Sequence, residues 1–548
     1  MSTSSTKSAR KKARRRAAEA ENARRVSESA PVDDFPERYW RIGVIAIFLI
    51  AAFLRLYDLN LVPLHHDEGV NGNFLVRLVR EGFYQYDPQN YHGPTLYYFS
   101  ALIPWVTKLL FGNSARDSYG LTTFTIRLVP ALFGLATIGL VFLLRRRLGT
   151  IATLAAAVML AVSPGAVYLS RYFIHESLFV FFTLAIVVAC VWFYDERNPS
   201  YLIPAGASAA LLFATKETAM ISAGVLLIAF ALTHIYMRFN REPSAERNRG
   251  LSEIIDELGG RARLLTNFGV ALIVFVGLYI LFYSSFFTYE KGLSASLQTF
   301  AIWTKTGTVA HVHPPSMYIE WLVQQEAPLL FLGASGAGLV VFNPKNSLAL
   351  FCALWSFGLI AAYSLIPYKT PWLLLNFVVP LALIAGYSIQ AIYEMDKAQL
   401  RLVAVILLVA IGVATYQSID LNFINYDNDN PKYVYVYAHT KRTTLDLVNE
   451  IDRIAKQEDG GKTGITIVSP DYWPLPWYLR NYSRVGYYGR MAASTEPIII
   501  ANENQKQEVD ANFRELYQPV PSKEPGGSFE LRPGVRLLLY VRRRVIED

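Results

Sequence analysis

Residues 63–74 read PLHHDEGVNGNF, so His65, His66, Asp67 and Glu68 set two imidazoles and two carboxylates side by side, just after the first long apolar run. Ionisable groups are expensive beside a bilayer, and four together there point to a site. Asp67 and Glu68 are adjacent, so on a helix or a strand they point in different directions, which disfavours a shared proton. One can face a cleft while the other anchors the loop. A carboxylate in a partly dehydrated cleft has the raised pKa of a general base able to take a proton from a hydroxyl or amine.

Three cations complete this chemistry: Arg171 in SRYFIHE, Lys216 in TKET and Lys369 in PYKTP, each at the end of an apolar run. Such a set suits phosphate, which Arg binds bidentately and Lys as a point charge. A carboxylate base opposite a phosphate-binding set suggests transfer of a group from a lipid-linked phosphate, whose departing oxyanion needs charge stabilisation more than a proton. Plainer readings stand beside this one. HHDE also fits a capped loop or a structural ion pair; Arg171 and Lys216 also fit side chains that snorkel to headgroups; Glu176 also fits the N-terminus of the apolar helix it opens. A metal site is a further alternative, since His65, His66, Asp67, Glu68, His92, His311 and His313 offer nitrogen and oxygen ligands, although HHDE lacks the H-E-x-x-H spacing of zinc hydrolases. HVHPP, 311–315, reads as a rigid turn with surface histidines.

The elements that must position these residues are membrane helices. The 548-residue chain is 53% hydrophobic with a mean hydropathy of +0.25, which excludes an ordinary soluble enzyme. Apolar runs at 42–57, 126–144, 151–169, 177–194, 201–215, 218–237, 266–286, 328–343, 347–366, 371–393 and 401–418 approach the span of a bilayer. The expected fold is a polytopic all-α membrane protein, with about 11–13 transmembrane helices and a small C-terminal α/β soluble domain.

A further run, TLYYFSALIPWVTKLLF at 95–111, carries Pro104 and Lys108. Read as a helix lying at the interface, it leaves RRR 145–147, the Arg-rich loop 238–263 and EMDKAQLR 394–401 on the cytoplasmic side with the N-terminus. The same assignment gathers loops 58–125, 170–176, 215–218, 287–327 and 367–371 on the outer face, so every unusual polar cluster lands on one side of the membrane.

The formal charge of +8 does not imply a nucleic-acid partner, because residues 1–25 hold nine Lys/Arg against only Glu19 and Glu21 and account for nearly all of it. That basic tail is expected to be disordered and to hold the N-terminus inside, near anionic lipid. Cys190 and Cys352 lie in apolar runs and read as core residues. The domains expected are a cytoplasmic tail at 1–40, a transmembrane domain at 41–420 with 58–125 as its catalytic loop, and an extracytoplasmic α/β domain at 421–548. The last shows apolar runs at 464–469, 497–500 and 535–541 and helical stretches near 441–456 and 506–517, with Asp471, Trp473 and Trp477 as one candidate acceptor-binding set, although the two tryptophans are rather expected in its own core.

With these motifs in hand, the chain resembles the GT-C superfamily of glycosyltransferases, in the branch of protein O-mannosyltransferases and lipid A aminoarabinose transferases. Within that branch it is most similar to the flippase-activity-associated proteins of archaeal N-glycosylation. The resemblance runs over roughly 40–420 and includes DYWPLPWYLRNY, 471–482. It implies that Asp67 of HHDEG is the catalytic base, with Glu68 its neighbour. YHGPTLYYF, with His92, resembles a Pro-Pro-Leu-Tyr segment that lies along the membrane, although Gly93 stands where a proline is usual. SRYFIHESL is similar to an Arg…Asp segment, with Glu176 in place of Asp. ATKET and PYKTPWLLL resemble the turns whose lysines hold the lipid phosphate. The substrate is then expected among His66, His92, Arg171, Glu176, Lys216 and Lys369, with no metal ligands assigned and a divalent cation left open.

The function expected is an inverting glycosyltransferase of the plasma membrane that moves a sugar from a polyprenyl-phosphate donor to a lipid, glycan or protein acceptor on the outer face. The alternatives are a lipid-linked-sugar flippase, for which paired half-repeats are missing from the sequence, and a non-enzymatic partner in glycan assembly.

Overall fold

A computed structural model describes residues 35–90, 92–112, 120–240, 255, 258–309, 311–395, 400–524 and 526–543. The expected disordered tail, much of the basic loop 238–263 and residues 396–399 of the loop after it lie outside these.

The chain opens with α1 (Glu37–Leu56), α2 (His66–Glu81), α3 (Thr95–Phe111) and α4 (Thr123–Phe142). Next come α5 (Thr150–Val162), α6 (Pro164–Ser170), α7 (Glu176–Glu196), α8 (Leu202–Phe213), α9 (Ala219–Asn240) and α10 (Arg261–Tyr283). The helical part ends with α11 (Lys291–Val309), α12 (Met317–Gln325), α13 (Ala327–Phe342), α14 (Ser347–Leu365), α15 (Leu375–Met395) and α16 (Leu400–Ile419). Among the described residues, 8 helices are long and apolar enough to cross a membrane, or up to 10 if each bent pair, α5–α6 at 60° and α12–α13 at 113°, is one span. Counting the shorter apolar helix that ends with α8, every apolar run expected to span coincides with one of these helices. The protein is a multi-span membrane protein.

At the centre stands α15, with every residue from Leu375 to Ile389 buried. From Leu375 to Gln390 it carries no charge, and Ala382, Ala385 and Gly386 let α5 and α13 approach it closely. By contrast α3 is split along its length. Its first turns, Thr95–Tyr98, are buried, whereas Leu109, Leu110 and Phe111 are exposed, as suits an apolar helix end at a bilayer surface.

After α16 the chain does not leave the bundle at once. Tyr433, Val434, Tyr435 and Val436 are buried in the same core as the membrane helices. Beyond them lies the α/β domain: α17 (Thr443–Ala455), β1 (Gly464–Ile467), β2 (Arg484–Tyr487), β3 (Ile498–Asn502), α18 (Lys506–Phe513), β4 (Tyr517–Val520), β5 (Phe529–Arg532) and β6 (Val535–Arg542). The sheet runs β2-β1-β3-β6-β4, with β5 also on β6. The pairs of β1 are parallel and those of β6 antiparallel. The expected runs at 464–469, 497–500 and 535–541 are its three inner strands; the more polar strands β2, β4 and β5 carried too little apolar signal to be expected.

Candidate active site

The first turn of α2 sorts the HHDE cluster. His65 is the N-cap, and its Nδ1 accepts from the Asp67 amide at 3.1 Å, so the ring proton sits on Nε2 and is donated to the Tyr437 carbonyl at 3.0 Å. Glu68 is fully buried. Its Oε1 accepts from Arg127 Nε at 2.7 Å and the Phe173 amide at 2.8 Å, while Oε2 accepts from Arg127 Nη2 at 2.5 Å and the His65 amide at 3.0 Å. Four donors saturate its lone pairs. Arg127 also donates to the carbonyls of Leu59, Val62 and Pro63, which ties the loop before α2 to α4.

Asp67 points the other way, with its side chain 40% exposed and at the N-terminus of α2, where the helix dipole favours negative charge. The two acids therefore diverge, one as the anchor of the loop and one toward open space. His66, beside it, lies 6.0 Å from the Trp473 ring. Burial lowers its imidazole below the ordinary histidine range, and Asp67 opposes that shift.

A second cluster joins the start of α3 to the 214–218 turn. The Gly93 amide donates to Thr215 O at 3.0 Å and the Thr95 amide to Ala214 O at 3.1 Å, and a Cβ on Gly93 would lie 2.1 Å from Ala214 O. The close approach and the needed N–H explain why glycine replaces proline here. His92 Nδ1 meets Glu217 at 3.1 Å, and His175 Nε2 donates to Gly93 O at 3.0 Å. Burial alone would raise the Glu217 carboxyl; His92 and Lys216 beside it bring it below the usual carboxylate range. Lys216 itself is buried and paired with Glu176 at 2.5 Å.

The third element is the 366–370 loop. Lys369 is 1% exposed, its Nζ donates to Ile366 O at 2.5 Å and lies 5.8 Å above the Tyr318 ring, and burial lowers its pKa. Among the described residues no carboxylate pairs with it. The 311–315 segment, expected to be a surface turn, braces this loop instead: Val312 bridges Tyr368, and the Lys369 amide donates to His311 O at 3.0 Å.

Tyr368 shows that the three elements converge. Burial raises its phenol, the Lys216 ammonium opposes, and the Asp67 and Glu217 carboxylates add to the rise. Charges from α2 and the 214–218 turn thus lie within electrostatic reach of one hydroxyl on the 366–370 loop. Neither Tyr368 nor Tyr437, whose hydroxyl meets His311 at 3.0 Å, was singled out in the sequence, because tyrosines are abundant and each lies in a run that reads as interfacial belt.

Two expectations are corrected. Arg171 does not present a free guanidinium to phosphate: it donates to the carbonyls of Leu54, Tyr57 and Asp58 and lies over Phe423, which caps the end of α1. Trp477 is not in the C-terminal domain's own core but is buried in the helical core, against α2. Among the described residues no group of three or more His, Cys, Asp or Glu side chains is gathered to hold an ion.

Residues 100–245 match the dolichyl-phosphate-mannose-protein mannosyltransferase family. This stretch includes Glu176 and Lys216 but not Asp67 or Lys369. The chain is 25% identical to protein O-mannosyl-transferase 1 of Danio rerio over 202 residues, 35% of this chain and 28% of that relative. Its fold is similar to that of ArnT from Cupriavidus metallidurans in the apo state, with a TM-score of 0.57 at 13% identity over 92% of this chain and 98% of that one. The same enzyme bound to undecaprenyl phosphate gives 0.55 at 14% identity, covering 91% and 98%. The archaeal oligosaccharyltransferase AglB from Archaeoglobus fulgidus, in complex with an inhibitory peptide and a dolichol-phosphate, gives 0.54 at 13%, covering 90% and 74%. The architecture is the GT-C fold.

Proposed function

We propose that the protein is an integral-membrane glycosyltransferase that moves a sugar from a polyprenyl-phosphate donor to an acceptor hydroxyl or amine. The observation that carries this is the presence, on two elements that both approach Tyr368, of a half-exposed carboxylate, Asp67, and a buried lysine, Lys369, that has no carboxylate partner among the described residues. A lone ammonium held out of water is costly unless an anion completes it. The polyprenyl phosphates bound by the similar structures support the lipid phosphate as that anion.

Asp67 takes the acceptor proton, the acceptor oxygen or nitrogen attacks the anomeric carbon, and the bond from that carbon to the phosphate oxygen breaks. The electron pair leaves on polyprenyl phosphate, where Lys369 stabilises it, and one displacement inverts the anomeric centre. Glu68 holds the loop; Lys216, neutralised by Glu176, orders the turn beneath. His66 and His92 flank the substrate. The site and the α/β domain face away from the cytoplasm, as the basic loops imply.

The test is transfer or slow hydrolysis of a radiolabelled polyprenyl-phosphate sugar by the purified protein in lipid, wild type against Asp67→Asn, with and without chelator. Loss in the variant alone supports the base, and chelator sensitivity adds a divalent ion. Movement of donor across the bilayer by both proteins, with turnover by neither, would replace this reading with the flippase.

A further inference from the structure

The α/β domain is clamped onto the first turns of α2. A Cβ on Gly69 would lie 2.5 Å from Pro474 Cβ, and one on Gly72 would lie 2.6 Å from the Trp477 ring, so glycine is required at both for the docking. The Leu64 amide, just before HHDE, donates to the Tyr478 hydroxyl at 2.8 Å. The contact leaves a row of rings along its rim. Tyr487, at the end of edge strand β2, is 36% exposed and stands 5.2 Å from Tyr472; Tyr472 is 5.7 Å from Trp473; Trp473 is 6.0 Å from His66. The row ends at the residue next to Asp67. Alongside it, Asp471 is ion-paired with Arg532 of β5, both partly exposed and within electrostatic reach of His66.

We infer that this row is the acceptor platform and that the acceptor is a saccharide; the inference rests on Asp67 being the base and gives its substrate a chemical class. Aromatic faces carry partial negative charge and pack against the C–H face of a pyranose, while the sugar's rim hydroxyls need both donors and acceptors. Arg532 supplies donors and Asp471 acceptors beside the rings. Successive rings at similar spacing suit successive sugar units better than a peptide, which would seek either deep side-chain pockets or an open strand edge. The edge here, β2, is only 4 residues long and begins with the charged Arg484. The terminal sugar, over Trp473 and His66, presents its hydroxyl to Asp67.

The experiment uses the full chain in lipid nanodiscs and saturation-transfer NMR, with chitotetraose, a mannotetraose and a cellotetraose as probes and a Thr-containing hexapeptide as the rival. At least one saccharide is expected to bind, at least fivefold more weakly in Trp473→Ala and Tyr487→Ala, with Tyr487→Phe restoring affinity because it keeps the ring. Equal loss in Tyr487→Phe, no saccharide binding, or peptide binding that depends on the same rings would each overturn the platform. Donor turnover is measured separately on the wild type. Ring-dependent saccharide binding without turnover would sink the transferase and spare the platform; turnover without saccharide binding would do the reverse.

Discussion

Two carboxylates one residue apart live in opposite electrostatic worlds. On one side of α2, Glu68 is buried, paired with Arg127 and saturated by four donors. On the other, Asp67 is partly exposed, and Lys369, on the 366–370 loop, is buried with a carbonyl and the Tyr318 ring beside it and no carboxylate partner among the described residues. A satisfied network fixes geometry; an unsatisfied one leaves charge available for a ligand. The loop is rigid on the Glu68 side so that the Asp67 side can be placed to within the tolerance that proton transfer demands.

The strongest break of this contrast is on the satisfied side. Arg127→Met leaves Glu68 buried and uncompensated, and removing one partner of such a pair costs about 3–5 kcal/mol. Thermal unfolding in lipid nanodiscs should show a large drop in Tm; a melt within a degree of wild type would mean that the pair does not hold the loop. Asp67→Asn should do the opposite, leaving Tm near wild type while turnover falls by roughly 10²- to 10⁴-fold, the usual share of a positioned general base.

The lysines sharpen the same comparison. Lys369→Met removes a cation with no counter-ion among the described residues, so the donor's KM should rise about tenfold to a hundredfold, as expected for one charge-assisted contact to phosphate. Lys216→Met strands the buried Glu176 carboxylate instead and should lower Tm more than it raises KM. If the two variants behaved alike, the division between a structural and a ligand-facing lysine would fail.

Much of this was legible in the sequence, and the reasons for what was not are physical. Helix positions follow from apolar length, and adjacent acids on a helix must diverge, so both were open to reading. The convergence of 63–74, 214–218 and 366–370 followed from placing loops at one end of the bundle. Arg171 misled because its spacing from an apolar run is the same whether its guanidinium meets phosphate or the carbonyls of Leu54 and Tyr57. Trp477 misled because its domain is continuous in sequence, yet its ring inserts against Gly72, a contact between residues hundreds of positions apart that no periodicity encodes. Tyr435 was hidden for the same reason, buried among membrane helices from a stretch that reads as part of the C-terminal domain.

The smallest effect tests the seam between these two sides, at His66. Burial lowers its folded pKa, opposed by Asp67 and Asp471 and reinforced by His65 and Arg532. On acidification the unfolded chain therefore takes up this proton first, so the stabilisation from a neutral His66 is complete above about pH 6.5 and is lost as pH falls through the lower folded value. Tm of the wild type should decline from about pH 7 to pH 5 more steeply than that of His66→Gln, which has no proton to gain. Parallel curves would mean that the ring is free to charge in place, and the Trp473 face of α2 would then be wetter than the contact with Pro474 implies.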